Sequence, residues 1–285
     1  MKKILAVLFS VFILAGCSTT FAYKNIDWLI YWYLDDFIDF TDEQEETFDT
    51  YLQKWLAWHK ANEMPKYLAH INQLVDEIST KQLSIARMEY HRQKTREHWE
   101  RARDYIAPDL VELAPMLSDK QIEDMFTAFE KELKDEEKDY KKLRDKPPEK
   151  RKKDWVKKYK KRISKWLGSL TEEQKNYIEN SYDSILPSRQ LWIDYNRRYQ
   201  GELKKTFEEQ ADKMVFSERL HALLVEPEVY RSEALNQAFE RNSQANMVML
   251  QTLLVLSTDK QQKRLVNEID DYRQDLIDLM AWSRD

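Results

Sequence analysis

The sequence predicts an all-α protein, a bundle of about ten helices that follows an N-terminal signal peptide. Helix-favouring Leu, Lys, Glu and Gln are abundant, whereas glycine occurs three times in 285 residues. No long run alternates between apolar and polar residues, as a half-buried strand would. Apolar residues recur instead at helical spacing, and prolines and capping residues separate the segments.

The first segment has the pattern of a bacterial secretory signal. Two lysines precede an apolar stretch, 4–14, which suits a signal peptide and is too short to span a bilayer. Residues 14–17, Leu-Ala-Gly-Cys, resemble the lipobox of bacterial lipoproteins and contain the single cysteine of the chain. We therefore expect a signal peptide over 1–16, acyl chains on Cys17 and a lipidated tether over 17–23.

A first helix is expected over 24–38. Its apolar residues follow the i, i+3, i+4, i+7 rule from Ile26 to Ile38. Trp28, Tyr31 and Trp32 make it apolar nearly all round, which predicts that it is buried or lies against lipid.

Later helices share a start signal, in which Ser or Thr is followed three residues later by Gln. This is the pattern of a capping box, where the hydroxyl accepts from the third helical amide and Gln reaches back. It occurs at Thr41 with Gln44, Ser79 with Gln82, Ser118 with Gln121 and Thr171 with Gln174, and a looser copy spans 257–261. The predicted helices are 24–38, 42–62, 65–78, 80–106, 119–145, 149–167, 172–186, 188–214, 216–225, 228–255 and 259–282.

Composition limits the function classes that remain. Three glycines cannot build phosphate-binding loops, dinucleotide fingerprints or nucleophile elbows, so most nucleotide enzymes are excluded. The net charge of −5 argues against nucleic-acid binding. The charged turn at Pro147 and Pro148 leaves two options, one helical domain over 24–285 or two subdomains, 24–146 and 149–285.

The most distinctive interior string is 58–67. His59 and Glu63 stand four residues apart, so they could share a proton or a metal ion, or they could order a helix end before Pro65. The structural role is favoured, and His91 and His98 are interpreted as flanked by ordinary charges. The candidate interaction or structural motif comprises Asp35, Asp36, Trp58, His59, Glu63, Pro65 and Tyr67.

Asp35 and Asp36 interrupt an aromatic helix. Paired carboxylates can perform acid–base chemistry, but an acidic surface edge is the simpler interpretation. One of the two is expected to be buried against a basic partner such as His59 or Arg87. No catalytic residue, metal ligand or cofactor is assigned.

A strongly basic segment spans 141–165, with fourteen Lys or Arg and three acids. Its aromatic residues recur at helical spacing, so they either pack into the bundle, which is favoured, or lie on an anionic surface with the lysines. The candidates for anionic-surface binding are Lys150, Arg151, Lys152, Lys153, Trp155, Lys157, Lys158 and Tyr159.

Two resemblances bear on function. The string Trp58-His59-Lys60 with Glu63-Met64-Pro65 and Tyr67, together with Trp166-Leu167-Gly168-Ser169-Leu170-Thr171 and Gln174, resembles an uncharacterised family of Gram-negative lipoproteins. Lys60 and Met64 depart mildly from that family's pattern. The segment from Leu170 to Gln174 is also similar to the paired motif of Spy/CpxP-type periplasmic chaperones, which are smaller and are not lipidated.

Together these observations predict a lipoprotein of the outer membrane that faces the periplasm. Ser18 and Thr19 follow the cysteine, and the absence of Asp there resembles lipoproteins that are passed to the outer membrane. The leading function is a non-enzymatic envelope interaction or scaffold protein. Its expected partners are the membrane, through the acyl chains, and an envelope protein or anionic envelope surface, without nucleic acid. The alternatives are a chaperone-like binder of unfolded clients and an envelope hydrolase that uses His59 and Glu63.

Overall fold

The computed structural model describes residues 17–282, and every regular element within that range is helical. The predicted signal peptide, 1–16, lies outside the described residues. The α-helices are α1 Cys17–Lys24, α2 Ile26–Leu34, α3 Asp42–Trp58, α4 Met64–Ser79, α5 Ile85–Leu113, α6 Asp119–Arg144, α7 Pro148–Leu167, α8 Glu172–Asn180, α9 Arg189–Glu208, α10 Lys213–Val225, α11 Glu233–Val255 and α12 Asp259–Ala281. The predicted all-α class is confirmed, and the predicted tether over 17–23 forms α1.

Four of the predicted capping boxes are present. In each box, the hydroxyl of the capping residue accepts from the backbone amide of a Gln three residues later, and the side chain of that Gln accepts from the backbone amide of the capping residue. The capping residues are Thr41, Ser118, Thr171 and Thr258. The box predicted at Ser79 is wrong. Ser79 ends α4, the Thr80 hydroxyl donates back to Asp76 O at 2.8 Å, and Ser84 caps α5 instead.

Several predicted helix boundaries also move: the helices expected over 24–38, 80–106 and 172–186 are Ile26–Leu34, Ile85–Leu113 and Glu172–Asn180, and two further changes occur at capping residues. The helix expected over 188–214 ends at Glu208, and Asp212 caps a new helix by accepting from the Val215 amide. The helix expected from 228 begins at Glu233 after a short 3₁₀ turn, with Ser232 as its cap. Asp and Ser are favoured caps in general, but outside the Gln-containing pattern they were not recognised as helix starts.

The boxes meet in pairs. Gln44 and Gln121 exchange two side-chain hydrogen bonds, 3.1 Å and 2.7 Å long. Gln44 also donates to Met116 O, and Gln121 donates to Asp39 O, each two residues before the partner's cap. The starts of α3 and α6 therefore hold one another in place.

The starts of α8 and α12 repeat the arrangement. Gln174 and Gln261 exchange hydrogen bonds of 3.1 Å and 2.9 Å. Gln174 donates to Leu256 O and Gln261 donates to Ser169 O, again two residues before the partner's cap. This second pair is deeply buried, with Gln174 fully excluded from solvent and Gln261 5% exposed.

The buried side chains of residues 20–282 form five separate clusters. One joins Ile78 of α4 to Tyr159 of α7 and Met249 of α11, and another joins Phe129 of α6 to Phe207 of α9. Helices from both sides of the turn at Pro147 and Pro148 thus contribute to the same clusters, so the predicted subdomains share a core. Most domains have one contiguous core, and here the clusters surround a central cavity.

Candidate functional site

The string 58–67 forms the junction between α3 and α4. Residues His59–Glu63 make a π-helical turn, in which the Met64 amide donates to His59 O. Single π turns inside helices are rare and occur often at functional sites. Trp58 stacks on Tyr105 with ring centroids 4.0 Å apart. Pro65 lies in the first turn of α4, where its missing amide costs no hydrogen bond, as predicted.

His59 and Glu63 have different partners. The Glu63 carboxylate is fully buried and accepts from Lys66 at 2.6 Å and from Arg101 at 2.9 Å. His59 Nδ1 lies 3.2 Å from the Tyr23 hydroxyl. Across residues 20–282, no group of three or more His, Cys, Asp or Glu side chains has an arrangement that could hold a metal ion.

A chain of three histidines lies beside this junction. His70 of α4 bonds through Nε2 to His91 Nδ1 at 2.8 Å, and through Nδ1 to His98 Nε2 at 3.1 Å. His91 continues to Glu77 at 3.0 Å, and Arg101 joins His98 to Glu63. When His91 donates to Glu77, each imidazole in the chain donates through one ring nitrogen and accepts through the other, and the chain ends at the Arg101 guanidinium, which donates to His98 Nδ1.

The sequence analysis missed this cluster. His91 and His98 are seven residues apart on α5, which places them on one face of the helix. That spacing was the available signal. Their partner His70 lies on α4, however, so the contact depends on how the two helices pack.

Burial keeps His59 and His70 neutral. Desolvation lowers the pKa of His59 to about 4, although the nearby Glu63 opposes the shift. Desolvation, with His91 and His98 as neighbours, lowers the pKa of His70 to about 4 as well. Burial would raise the pKa of Glu63, but hydrogen bonds from Arg101 and Lys66 outweigh it and hold that pKa below its usual value. At neutral pH the site therefore combines the ionised Glu63 with the uncharged imidazoles of His59 and His70.

The central cavity adjoins the histidines and has a volume of about 650 Å³. Its walls are mainly aliphatic and aromatic side chains from all five core clusters, together with His59, His70 and His98. Sites that bind small molecules measure roughly 300–1,000 Å³, so the cavity has the size of a ligand site.

Two tyrosine hydroxyls in the cavity wall are left without hydrogen-bond partners among the described residues. They belong to Tyr33 of α2, which is 8% exposed, and to Tyr272 of α12. A buried hydroxyl without a partner is unfavourable, and most buried polar groups in folded proteins are satisfied. Both hydroxyl oxygens are also shielded from solvent, so neither is exposed at the cavity surface.

Asp35 and Asp36 are both exposed. The expectation that one of them is buried against His59 or Arg87 is wrong. Arg87 instead pairs with Glu77, at 2.5 Å, because those two residues face each other across the junction of α4 and α5. The simpler interpretation, an acidic surface edge, agrees with this exposure.

The basic segment forms α7, and its aromatic residues face inward. Tyr159 is 3% exposed and belongs to a core cluster, which corrects its assignment to a surface. Trp155 packs on Tyr159 with ring centroids 4.9 Å apart. The candidates with exposed side chains are Lys150, Lys153, Lys157 and Lys158, whereas Arg151 and Lys152 are half-buried.

Three exposed aromatic residues lie on one face of α1 and α2. Phe21, Trp28 and Trp32 are more than 60% exposed and are spaced i, i+7, i+11. Hydrogen bonds from the Asn25 amide to Phe21 O and from the Leu29 amide to Asn25 O carry the helical path across the short break. Trp28 and Trp32 stack at 6.5 Å, so the chain presents an aromatic stripe beginning one turn after Cys17.

No helix within residues 17–282 has the length and hydropathy needed to cross a membrane. No curated protein and no solved structure matches the chain. A family model does match residues 36–236, a range that includes the π turn, the histidine chain and most of the cavity wall. The chain belongs to this family, described as a family of unknown function (DUF6279).

Proposed function

We propose that this protein is a lipid-anchored, non-enzymatic interaction protein of the bacterial envelope, held on the periplasmic face of the outer membrane through Cys17. The apolar leader and the Leu-Ala-Gly-Cys run at 14–17 support acylation. The resemblance of 58–67 and 166–174 to Gram-negative lipoproteins supports the same location. Two acyl chains suffice for stable anchoring, whereas one is marginal.

The observation that carries the proposal is the aromatic stripe. Tryptophan is enriched at membrane interfaces because its ring is apolar and its N–H is polar. Phe21, Trp28 and Trp32 stay exposed although burying each ring would be favourable by about 2 kcal/mol or more. The helix that bears them begins at Cys17, so acyl chains there would bring the stripe to the bilayer surface.

The side-chain network supports a role other than catalysis. Glu63 is engaged by Arg101 and Lys66, and Glu77 is engaged by Arg87 and His91. Carboxylates held in this way act as weak bases, because their ionised form is already stabilised. The network therefore favours holding α4 and α5 together over acid–base chemistry.

Vesicle binding tests the stripe. In the full chain carrying Cys17→Ser, replacing Phe21, Trp28 and Trp32 by Ser is expected to weaken binding to anionic vesicles at least tenfold. A matched control replaces three other exposed apolar residues, Met214, Val229 and Val255, by Ser. Equal binding by both triple variants would contradict the role of the stripe.

The anchor itself is tested by intact-mass measurement. The protein purified from envelopes is expected to begin at Cys17 and to carry the added mass of acyl chains. An intact leader or an unmodified thiol would overturn the location.

The exposed lysines of α7 supply a second, separable contribution. Each basic group near an anionic surface adds up to about 1 kcal/mol, and less at high salt. Replacing Lys150, Lys153, Lys157 and Lys158 by Gln is expected to lower vesicle binding at low salt and to flatten its salt dependence. Unchanged binding would limit membrane contact to the anchor and the stripe.

A further inference from the structure

We propose that the central cavity binds one long aliphatic chain, of the kind carried by fatty acids and glycerophospholipids. The volume of about 650 Å³ lies within the range of small-molecule sites, roughly 300–1,000 Å³. The cavity is lined mainly by apolar side chains of α2, α3, α4, α5 and α12, with contributions from α1, α6, α7, α9 and α10. A flexible hydrocarbon chain suits an apolar lining because it has no polar groups that need hydrogen-bond partners along its length.

The charges in the wall favour an aliphatic chain over an ionic ligand. Arg103 is the one Arg, Lys, Asp or Glu among the described residues that line the cavity. Its guanidinium contacts Asp104 at 2.9 Å and Glu228 at 3.6 Å, so its charge is already balanced. Burying a further unpaired charge here would be strongly unfavourable.

The wall offers few polar groups to a single oxygen-bearing end of such a molecule. The Tyr33 and Tyr272 hydroxyls are shielded from the cavity surface and have no protein partner within the described part of the chain. His70 and His98 lie in the same wall and are linked to one another. An ionised headgroup would remain near solvent, and Thr95 is the exposed residue among those described in the lining.

The inference does not depend on acylation of Cys17, so it can fail while the proposed function stands. The full chain carrying Cys17→Ser is titrated with a fluorescent fatty acid about sixteen carbons long. We expect saturable binding of one probe per chain. An absence of saturable binding would overturn the proposal.

A matched pair of variants locates the bound probe. Ala102 lines the cavity on α5, whereas Ala86 is exposed on the same helix and does not line it. Ala102→Trp is expected to weaken binding at least tenfold, and Ala86→Trp is expected to leave it within twofold. Equal effects of the two substitutions would place the probe elsewhere and contradict the assignment.

A gentler variant covers the case in which Ala102→Trp fails to fold. Ala102→Leu adds a smaller side chain at the same position in the wall, and it is expected to weaken binding of the fatty-acid probe three- to tenfold while the far-ultraviolet circular dichroism stays unchanged. A folded Ala102→Leu protein that binds the probe with unchanged affinity would overturn the proposal.

Two further arms identify the source of the chain. Competition by palmitate alone indicates a free fatty acid, whereas competition by phosphatidylethanolamine vesicles indicates a phospholipid chain, and either result supports the site. A probe that binds the Cys17→Ser chain but is excluded from the acylated protein would overturn the proposal, because the protein's own anchor would then be the occupant.

Discussion

The buried polar groups at the paired helix starts are hydrogen-bonded, whereas a buried hydroxyl beside the central cavity is not. At the helix starts, the amide of the fully buried Gln174 bonds to Gln261, to Leu256 O and to the Thr171 amide. In the cavity, the hydroxyl of the nearly buried Tyr33 bonds to no described protein group. The buried amides that fix the helix starts are therefore fully paired, whereas a buried hydroxyl beside the cavity is not. The two regions are expected to respond differently when these polar groups are removed.

The largest effect is expected from breaking the buried pair. Gln174→Ala removes five side-chain hydrogen bonds and leaves the Gln261 amide buried without its partner. Because an unsatisfied buried polar group adds its desolvation cost to the lost bonds, we expect a loss of about 3 kcal/mol in the free energy of unfolding. Urea denaturation measures it. A loss below that of Gln44→Ala would contradict the burial argument.

Acidification is expected to have the next largest effect, through the buried histidines beside the cavity. His59 and His70 have pKa values of about 4 in the folded protein against 6.5 for the free side chain. Below pH 6.5 the two histidines bind protons in the unfolded chain, whereas in the folded chain they do so only near pH 4. Their contribution to the free energy of unfolding is therefore complete above pH 6.5 and decreases as the pH falls through this window. We expect a loss of about 2 kcal/mol between pH 7 and pH 5, after discounting the half-exposed His70.

The amide pairs supply the control for this pH dependence. Gln174 and Gln261 carry no titratable group, so the effect of Gln174→Ala on the free energy of unfolding is expected to be equal at pH 7 and pH 5. Stability that does not change between these two pH values would show that the histidines are not held neutral by burial.

A smaller effect is expected at the more exposed pair. Gln44→Ala breaks the equivalent contacts to Gln121 and Met116 O, but Gln44 is only half-buried. Water can replace some of the lost hydrogen bonds, so we expect the free energy of unfolding to decrease by about 1 kcal/mol in the same denaturation experiment. A difference of less than about 0.5 kcal/mol between Gln44→Ala and Gln174→Ala would remove burial as the distinction between the pairs.

The smallest effect has the opposite sign. In protein stripped of lipid, Tyr33→Phe removes a buried hydroxyl that has no described partner, so it is expected to raise stability by about 0.5–1 kcal/mol. Thermal unfolding measures the change. A clear destabilisation would show that the hydroxyl is satisfied in the unliganded protein and would weaken the contrast with the helix starts.

The sequence predicted the helix starts well because a capping box is a local signal. Four boxes were found from Ser or Thr and Gln spacing alone, and the error at Ser79 arose because the same residues also suit a helix end. That the boxes pair was not predictable, since Gln174 and Gln261 are 87 residues apart.

The cavity side was much less predictable. The string 58–67 was singled out correctly as unusual, but its π turn separates the partners of His59 and Glu63. His70, His91 and His98 come into contact because α4 packs on α5. The cavity lies between five separate clusters of buried side chains. Such features depend on helix packing, which residue spacing along one helix does not encode.

Native mass spectrometry of the full chain purified from envelopes tests the central claim most directly. The account predicts one non-covalently bound molecule per chain, with the mass of a fatty acid or phospholipid, in the unaltered protein and in Ala86→Trp, and none in Ala102→Trp. An unaltered chain that carries no such molecule, or an Ala102→Trp chain that retains it, would contradict the account.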